Sequence, residues 1–455
     1  MISQQNTDTI TAIATAPGEG AIGIIRISGK DSHKIAIEIF RRKNGQQIIS
    51  PQYFRQYYGF IINSDDKIID ESLLCLMRAP RSYTCEDTVE ISIHGSIASQ
   101  EETLSLILKM GARLAEPGEF TMRAFINGRI DLTQAEAVAD IISAKTSVGL
   151  RAAQERLSGK LGDNIRRIRG ELIQMLSFLE AAIDYSEDDI TFLTTSEIKY
   201  KLTFIRQEIS DLVNSYKSGK ILREGAKIAI IGLPNSGKSS LLNYLLGEAR
   251  AIVTHLPGTT RDTLEEQLII GGLPVRLVDT AGIRDTDDLA EKIGVEKSIS
   301  AMNSADIIIA VIDGSIETSL DATTFLKSIP TEKSIIAINK SDLPSNVELT
   351  AVKGNIVKIS AITGDGIPEL EKKLYDLALG SKTDFAGLPN IRTHEAAMKA
   401  LESIDEAIIS LNNSASEDLL SVDITAAAEY LGEITGDNVR DEIISEIFSR
   451  FCVGK

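Results

Sequence analysis

Two kinds of hydrophobic pattern occur along this chain, and the first fills residues 1 to about 120. There, short runs rich in β-branched residues, such as Ala21–Ile27 and Asp87–Ile93, are separated by glycine and proline turns. These runs predict strands, whereas 31–42 and 100–110 repeat apolar residues at helical spacing. The N-terminal region is therefore predicted to be a mixed α/β domain.

The second pattern is long helical periodicity, which begins near Leu132 and returns after Leu379. Shorter apolar runs lie between these two helical regions. We infer that a separate domain is inserted into one helical domain, although two unrelated helical domains would give the same pattern. The predicted segments are an N-terminal domain at 1–120, helical segments at 121–221 and 379–455, and an inserted domain at 222–378.

The inserted segment contains a phosphate-binding motif. Residues 232–239 read Gly-Leu-Pro-Asn-Ser-Gly-Lys-Ser, between an apolar run and a helical run. Glycines allow successive backbone N–H groups to point at phosphate oxygens at a helix N-terminus. Lys238 is expected to reach the terminal phosphates and Ser239 to ligate magnesium; an ordinary glycine turn is the alternative. The predicted nucleotide contacts here are Asn235, Ser236, Gly237, Lys238, Ser239 and Ser240.

Two further motifs fit a guanine-nucleotide switch. Asp279-Thr-Ala-Gly282 ends an apolar strand, so Asp279 can hold the magnesium shell while the Gly282 N–H faces the terminal phosphate. Thr260, in the polar loop before that strand, is the candidate second hydroxyl on magnesium. Asn339-Lys340-Ser-Asp342 ends another strand, where Asp342 can accept hydrogen bonds from two N–H groups that guanine offers and adenine does not.

A third motif completes the base site. Ser360 and Ala361 follow the predicted strand 355–359, from which backbone N–H groups can meet the guanine carbonyl. The order of the motifs predicts a GTPase domain with a Ras-like doubly wound sheet.

The water-positioning glutamine of Ras-type enzymes is missing, because Ile283 stands in its place. An isoleucine cannot hydrogen-bond to water, so another group must act. The nearby loop supplies four carboxylates, and position alone does not choose among them. They are Asp285, Asp287, Asp288 and Glu291.

Composition limits the cellular location and the nucleic-acid binding expected of this protein. The 455 residues carry 43% hydrophobic and 25% charged residues, and apolar runs fall short of the roughly 20 that span a membrane. Three cysteines without metal-ligand spacing, and an N-terminus without a basic start, suggest a cytoplasmic protein. The net charge of −17 means that nucleic acid would need a local basic patch or a basic partner.

Several segments outside the nucleotide motifs identify the chain as resembling a known family. These are Asp8-Thr-Ile-Thr-Ala-Ile-Ala-Thr-Ala-Pro-Gly, Gly23-Ile-Ile-Arg-Ile-Ser-Gly29, Pro117-Gly-Glu-Phe-Thr-Met-Arg-Ala-Phe125, Asp131-Leu-Thr-Gln-Ala-Glu-Ala137 and Phe451-Cys-Val-Gly-Lys455. In combination they resemble the MnmE (TrmE) family, GTPases that modify the wobble uridine of tRNA.

The resemblance implies an N-terminal domain that forms a homodimer and binds 5-formyl- or methylene-tetrahydrofolate. The matching contacts are Arg26, Glu90 and Arg129, with Lys455 nearby. A pterin presents an amide-like edge that Glu90 can read, and cations suit the glutamate tail of the ligand. Without the resemblance, these residues would be read as ordinary ion pairs.

The resemblance also implies a potassium ion beside the nucleotide. Asn235 matches a potassium ligand, with further oxygens from Thr254, the backbone of Leu256, and Thr259. Such an ion neutralises charge as an arginine finger does. Glu291 matches the residue that positions water, and hydrolysis accompanies the meeting of two GTPase domains across the dimer.

Cys452 has two interpretations. A lone cysteine after a helical run usually packs in a core, but the terminal Cys-x-Gly-Lys of the family places the thiol toward the folate and requires it for modification. The implied partners are tRNA and an FAD-containing flavoprotein of the MnmG type, in a heterotetramer or larger complex. The resemblance thus implies addition of an aminomethyl or carboxymethylaminomethyl group to carbon five of the wobble uridine. A GTP-binding switch in ribosome assembly, without modification chemistry, is the alternative.

Overall fold

The computed structural model describes residues 8–184, 194–248, 267–278, 301–346, 354–380, 387–413 and 417–454. The chain divides into two compact units. The first combines residues 1–139, 162–171 and 428–455, and the second combines residues 140–161 and 172–427. The chain therefore leaves the first unit and returns to it twice. The boundaries of the four predicted segments stay a prediction.

A seven-stranded mixed sheet forms the centre of the first unit. Its strands are β1 Ile10–Ile13, β2 Gly20–Ser28, β3 Phe40–Arg42, β4 Gln56–Ile62, β5 Ile68–Met77, β6 Thr88–Gly95 and β7 Arg113–Leu114. Their order is β3-β4-β5-β6-β2-β1-β7, and only the β1–β7 pair is parallel. The helices beside the sheet are α1 Ser32–Ile39, α2 Ile97–Lys109 and α3 Glu119–Ile126. The predicted mixed α/β region is confirmed.

One predicted boundary in this region is wrong. The helix expected over 31–42 ends at Ile39, and the chain continues as β3, antiparallel to β4. Phe40 has an extended backbone and a fully buried side chain. A Cβ atom on Gly59 of β4 would lie 2.0 Å from the carbonyl oxygen of Arg41. The glycine therefore allows a close strand pairing that overrides the local helical pattern.

Long helices make up much of the rest of the chain. They are α4 Leu132–Ser143, α5 Ser147–Leu157, α6 Lys160–Asp184, α7 Thr195–Glu224, α8 Lys238–Glu248, α9 Leu320–Ser328, α10 Ile367–Leu379, α11 Ile391–Asn412, α12 Glu417–Thr435 and α13 Asp441–Ser449. In the first unit, α13 packs its Phe448 against residues of α3 and α4. Over the described ranges, no helix is both long and apolar enough to cross a membrane.

A six-stranded sheet forms the centre of the second unit. Its strands are β8 Ala226–Gly232, β9 Gln267–Ile270, β10 Leu273–Leu277, β11 Ile307–Asp313, β12 Ser334–Asn339 and β13 Asn355–Lys358. The order is β13-β12-β11-β8-β10-β9, with all neighbours parallel except β9 and β10. Ile228 and Ile230 belong to one hydrophobic cluster, while Ala229 and Ile231 belong to another. Both faces of the sheet are therefore covered, and the predicted doubly wound sheet is confirmed.

Candidate functional site

The predicted phosphate loop connects β8 to α8 at the carboxyl edge of the second sheet. Asn235 and Gly237 both have positive φ angles, of 61° and 92°. The left-handed backbone conformation of these two residues turns the chain into α8. The Lys238 ammonium donates to the carbonyl oxygens of Gly232 at 3.0 Å and Leu233 at 2.8 Å. Burial lowers the pKa of Lys238. A loop curled around a partly buried ammonium suits a phosphate anion.

Asn339 ties this loop to the segment after β13. Its side-chain nitrogen donates to the backbone oxygen of Ser236 at 3.0 Å, and its side-chain oxygen accepts from the backbone nitrogen of Ala361 at 3.0 Å. Asn339 is only 2% exposed. The buried Ser236 hydroxyl has no hydrogen-bond partner among the described residues. Asn339 thus joins two loops that the sequence predicts to hold opposite ends of one nucleotide.

Lys340 also has a partner from a neighbouring strand. Its ammonium lies 2.5 Å from Oδ2 of Asp313, the last residue of β11. The other carboxylate oxygen of Asp313 accepts from the backbone nitrogen and the hydroxyl of Ser315, at 2.9 and 2.6 Å. Burial alone would raise the pKa of Asp313, but the hydrogen bonds from Lys340 and Ser315 outweigh it and lower that pKa.

Asp342 and Ser360 form the third link of this region. The Ser360 hydroxyl donates to Oδ1 of Asp342 at 2.6 Å. Ser360 is fully buried and Asp342 is exposed. The bond fixes the carboxylate through one oxygen and leaves the second without a partner in the described part of the chain. An oriented, accessible carboxylate can accept hydrogen bonds from the N–H groups of a purine edge.

Ser239 and Ser240 lie exposed in the first turn of α8. The remaining residues predicted for the nucleotide, its ions and the attacking water lie outside the described residues. They are Thr254, Leu256, Thr259, Thr260, Asp279, Gly282, Asp285, Asp287, Asp288 and Glu291.

A second cluster lies on the sheet of the first unit. Arg26 of β2 and Glu90 of β6 are direct cross-strand partners. Nε and Nη2 of Arg26 both donate to Oε1 of Glu90, at 3.0 and 2.8 Å. The Glu90 side chain is 33% exposed, and its Oε2 has no partner among the described residues. The sequence-predicted pair is therefore joined, with one carboxylate oxygen left for a ligand.

Tyr83 lies between the two arginines predicted for this cluster. Its ring centroid is 5.2 Å from the guanidinium carbon of Arg26 and 4.6 Å from that of Arg129. Arg129 also donates to the backbone oxygen of Tyr83 at 2.6 Å. The Phe120 ring lies 5.5 Å from the Arg26 guanidinium carbon. Aromatic rings thus hold both cations by cation–π contacts.

The end of the chain reaches the same cluster. The carbonyl oxygen of Gly454 accepts from Nη1 of Arg26 at 3.4 Å, and that of Cys452 accepts from the backbone nitrogen of Gly118 at 3.4 Å. Phe451 is buried, whereas Cys452 is exposed and not in a disulfide. The core-packing interpretation of the thiol is therefore wrong. Lys455 lies outside the described residues.

The sequence reasoning missed several residues of these two clusters. Tyr83 and Phe120 carry no sequence signal, because only the fold brings them to Arg26. Asp313 does carry one, since it ends the apolar run of β11 beside the strands that lead to the predicted motifs. In parallel sheets, ligands bind beyond the carboxyl ends of such strands.

The phosphate loop, the strand order and the fixed Asn339–Asp342 segment define a P-loop GTPase. A model described as "GTP-binding protein TrmE N-terminus" matches residues 9–129, and one described as "MnmE helical domain" matches residues 132–452. The chain belongs to the MnmE (TrmE) family.

Full-length relatives agree with the family models. The protein named "tRNA modification GTPase MnmE" from Clostridioides difficile (strain 630) is 47% identical over 456 residues, 98% of this chain and 99% of the relative. Its counterpart from Carboxydothermus hydrogenoformans is 46% identical over 458 residues, 98% and 99% of the two chains.

One solved structure similar to part of this chain is the G domain of the FeoB iron transporter from T. maritima. It is 24% identical and covers 34% of this chain and 98% of that chain, with a TM-score of 0.25. This likeness is too low to bear on the nucleotide site, which rests on the geometry of this chain.

Proposed function

We propose that this GTPase acts in tRNA modification, adding an aminomethyl or carboxymethylaminomethyl group to carbon five of the wobble uridine. It works in the cytoplasm as a homodimer, with an FAD-containing flavoprotein of the MnmG type. A tetrahydrofolate supplies the one-carbon unit. GTP hydrolysis accompanies the meeting of the two GTPase domains across the dimer. The net charge of −17 supports a basic partner that carries much of the tRNA-binding surface.

The residues around the phosphate loop fit a magnesium–guanine nucleotide. Lys238 can exchange its two carbonyl partners for phosphate oxygens, and the buried Ser236 hydroxyl lacks a partner among the described residues. Ser239 at the start of α8 would ligate magnesium with Thr260, and Asp279 would hold the water shell. Bound magnesium neutralises charge on the phosphates. Asp342, oriented by Ser360, reads the guanine edge.

Potassium is proposed to assist hydrolysis, with Asn235 as a ligand together with Thr254, Leu256 and Thr259. We expect GTP turnover in sodium to be at least about tenfold slower than in potassium, because the ion neutralises developing charge. Steady-state phosphate release in the two salts measures this. The Asn235→Ala variant should hydrolyse GTP at the same rate in potassium and in sodium, and it should still bind GDP. Equal rates of the unaltered protein in both salts would exclude the potassium mechanism.

The first unit is proposed to bind 5-formyl- or methylene-tetrahydrofolate beside Arg26, Glu90 and Arg129. The Oε2 atom of Glu90 has no partner among the described residues and can accept from the pterin edge. The two arginines supply charge that suits the glutamate tail, and Lys455 adds another cation.

Glu90→Gln should weaken tetrahydrofolate binding by roughly 10²-fold, because an amide replaces a charged acceptor opposite two pterin donors. Calorimetric titration of the purified protein measures the change. Glu71→Gln, on the neighbouring strand and exposed, is the matched control and should bind as the unaltered protein does. If Glu90→Gln binds tetrahydrofolate as tightly as Glu71→Gln and the unaltered protein do, the folate does not bind at Glu90.

The observation that carries the proposal is the contact of the chain end with the predicted folate cluster, through Gly454 and Arg26. A bare GTP-binding switch requires neither a folate site nor a tail that reaches it. The decisive experiment combines the protein with the flavoprotein, tetrahydrofolate, GTP and tRNA, and measures modified uridine by mass spectrometry. Product that forms without added folate would overturn the proposed one-carbon source.

A further inference from the structure

We propose that Asp313 is a positioning residue of the nucleotide site, which acts by fixing the side chain of Lys340. This inference rests on the proposed binding of guanine nucleotide. It adds a residue from β11, outside the predicted motifs, to the group that sets nucleotide affinity.

The two oxygens of Asp313 make different contacts. Oδ1 accepts two hydrogen bonds from Ser315, which fix the orientation of the carboxylate. Oδ2 lies 2.5 Å from the ammonium of Lys340. The Asp313 side chain is 11% exposed and the Lys340 side chain is 31% exposed. A shielded and oriented carboxylate holds an ammonium more firmly than a surface carboxylate does.

The backbone at Lys340 shows that this placement is specific. Its φ angle is 65°, in the left-handed region that a lysine seldom adopts. The preceding residue is held by a hydrogen bond from the Gly314 nitrogen to the Asn339 oxygen, at 2.8 Å. A backbone conformation of this kind persists where the surroundings impose it, and it occurs preferentially at functional sites.

Lys340 lies between two residues that are fixed in the same way. Asn339 is held by Ser236 and Ala361, and Asp342 is held by Ser360. The ion pair with Asp313 fixes the third side chain of this segment. The methylene chain of Lys340 can then cover the face of the purine without losing further side-chain entropy on binding.

If Asp313 acts in this way, its loss should lower the affinity for nucleotide but leave the preference between guanine and hypoxanthine unchanged. A side chain that covers the purine face meets guanine and hypoxanthine alike, whereas Asp342 reads the edge at which they differ. Immobilising one long side chain changes affinity by roughly three- to tenfold. An ordinary exposed ion pair would leave nucleotide binding unchanged.

The test compares Asp313→Asn, Lys340→Met and the double variant in the full-length protein, with fluorescently labelled GDP as the probe. Each single variant should bind roughly three- to tenfold more weakly, and the double variant no more weakly than either single one. Unlabelled GDP and IDP, measured by competition, should lose affinity by the same factor. Glu369→Gln, which breaks the more exposed ion pair between Glu369 and Lys373 on α10, should bind within about twofold of the unaltered protein.

Unchanged affinity of Lys340→Met would overturn the proposal, even if Asp313→Asn failed to fold. Additive losses in the double variant would also overturn it, because Asp313 would then act independently of Lys340. Asp342→Asn is measured beside them as a test of the proposed base recognition. If that variant keeps its preference for GDP over IDP and XDP, the proposed base recognition fails, whatever Asp313 does.

Discussion

Gly237→Ala is expected to abolish most nucleotide binding. Gly237 has a φ angle of 92°, and an added Cβ atom would lie 2.1 Å from Nδ2 of Asn339. The alanine either strains the backbone or displaces Asn339 from Ser236. Strain of this kind costs roughly 1–3 kcal/mol, and a lost buried hydrogen bond costs a similar amount. GDP affinity should therefore fall by about 10²-fold or more, as fluorescence titration would measure.

Gly247→Ala is the matched control for this variant. Gly247 lies near the end of α8, the helix that follows the phosphate loop, and an added Cβ atom would meet nothing within 4 Å. Alanine in a helix should leave binding unchanged and raise stability by roughly 0.5–1 kcal/mol. If Gly237→Ala binds GDP as well as Gly247→Ala does, the phosphate loop does not depend on the observed conformation.

Local sequence predicted much of the second sheet but less of the first. The apolar runs behind β8, β12 and β13 are short and bounded by polar motifs, so strand type and order along the chain could be read directly. The helix predicted over 31–42 shows the opposite case. Its last residues pair with β4 because Gly59 allows a close approach, and a non-local pairing of this kind has no local signature.

The residues of the candidate sites also differ in whether local sequence could predict them. Asn339, Lys340 and Asp342 could be predicted because their chemistry depends on spacing within one short motif. Their contacts with Ser236 and Asp313 could not, because Ser236 lies in the phosphate loop after β8 and Asp313 ends β11. Tyr83 shows the limit most clearly, since its contacts with Arg26 and Arg129 are made only in the folded unit.

The position of the chain end leads to the second large expected effect. Cys452 contacts Gly118 through its backbone oxygen, while its side chain is exposed. Replacing the thiol by a hydroxyl therefore leaves the contacts of the tail unchanged. The neighbouring Phe451 stays buried, and the carbonyl oxygen of Gly454 still accepts the hydrogen bond from Arg26.

Cys452→Ser should therefore fold, dimerise and hydrolyse GTP normally but fail to modify the wobble uridine. The nucleotide site belongs to the other compact unit, so its hydrolysis rate should stay within about twofold, whereas modification should fall by about 10²-fold or more if the thiol takes part in the reaction. Mass spectrometry of tRNA from the reconstituted reaction measures the loss. Val453→Ala, a change in the same exposed tail, should retain modification. A serine variant as active as Val453→Ala would show that the thiol has no role and that the tail serves only to hold Arg26.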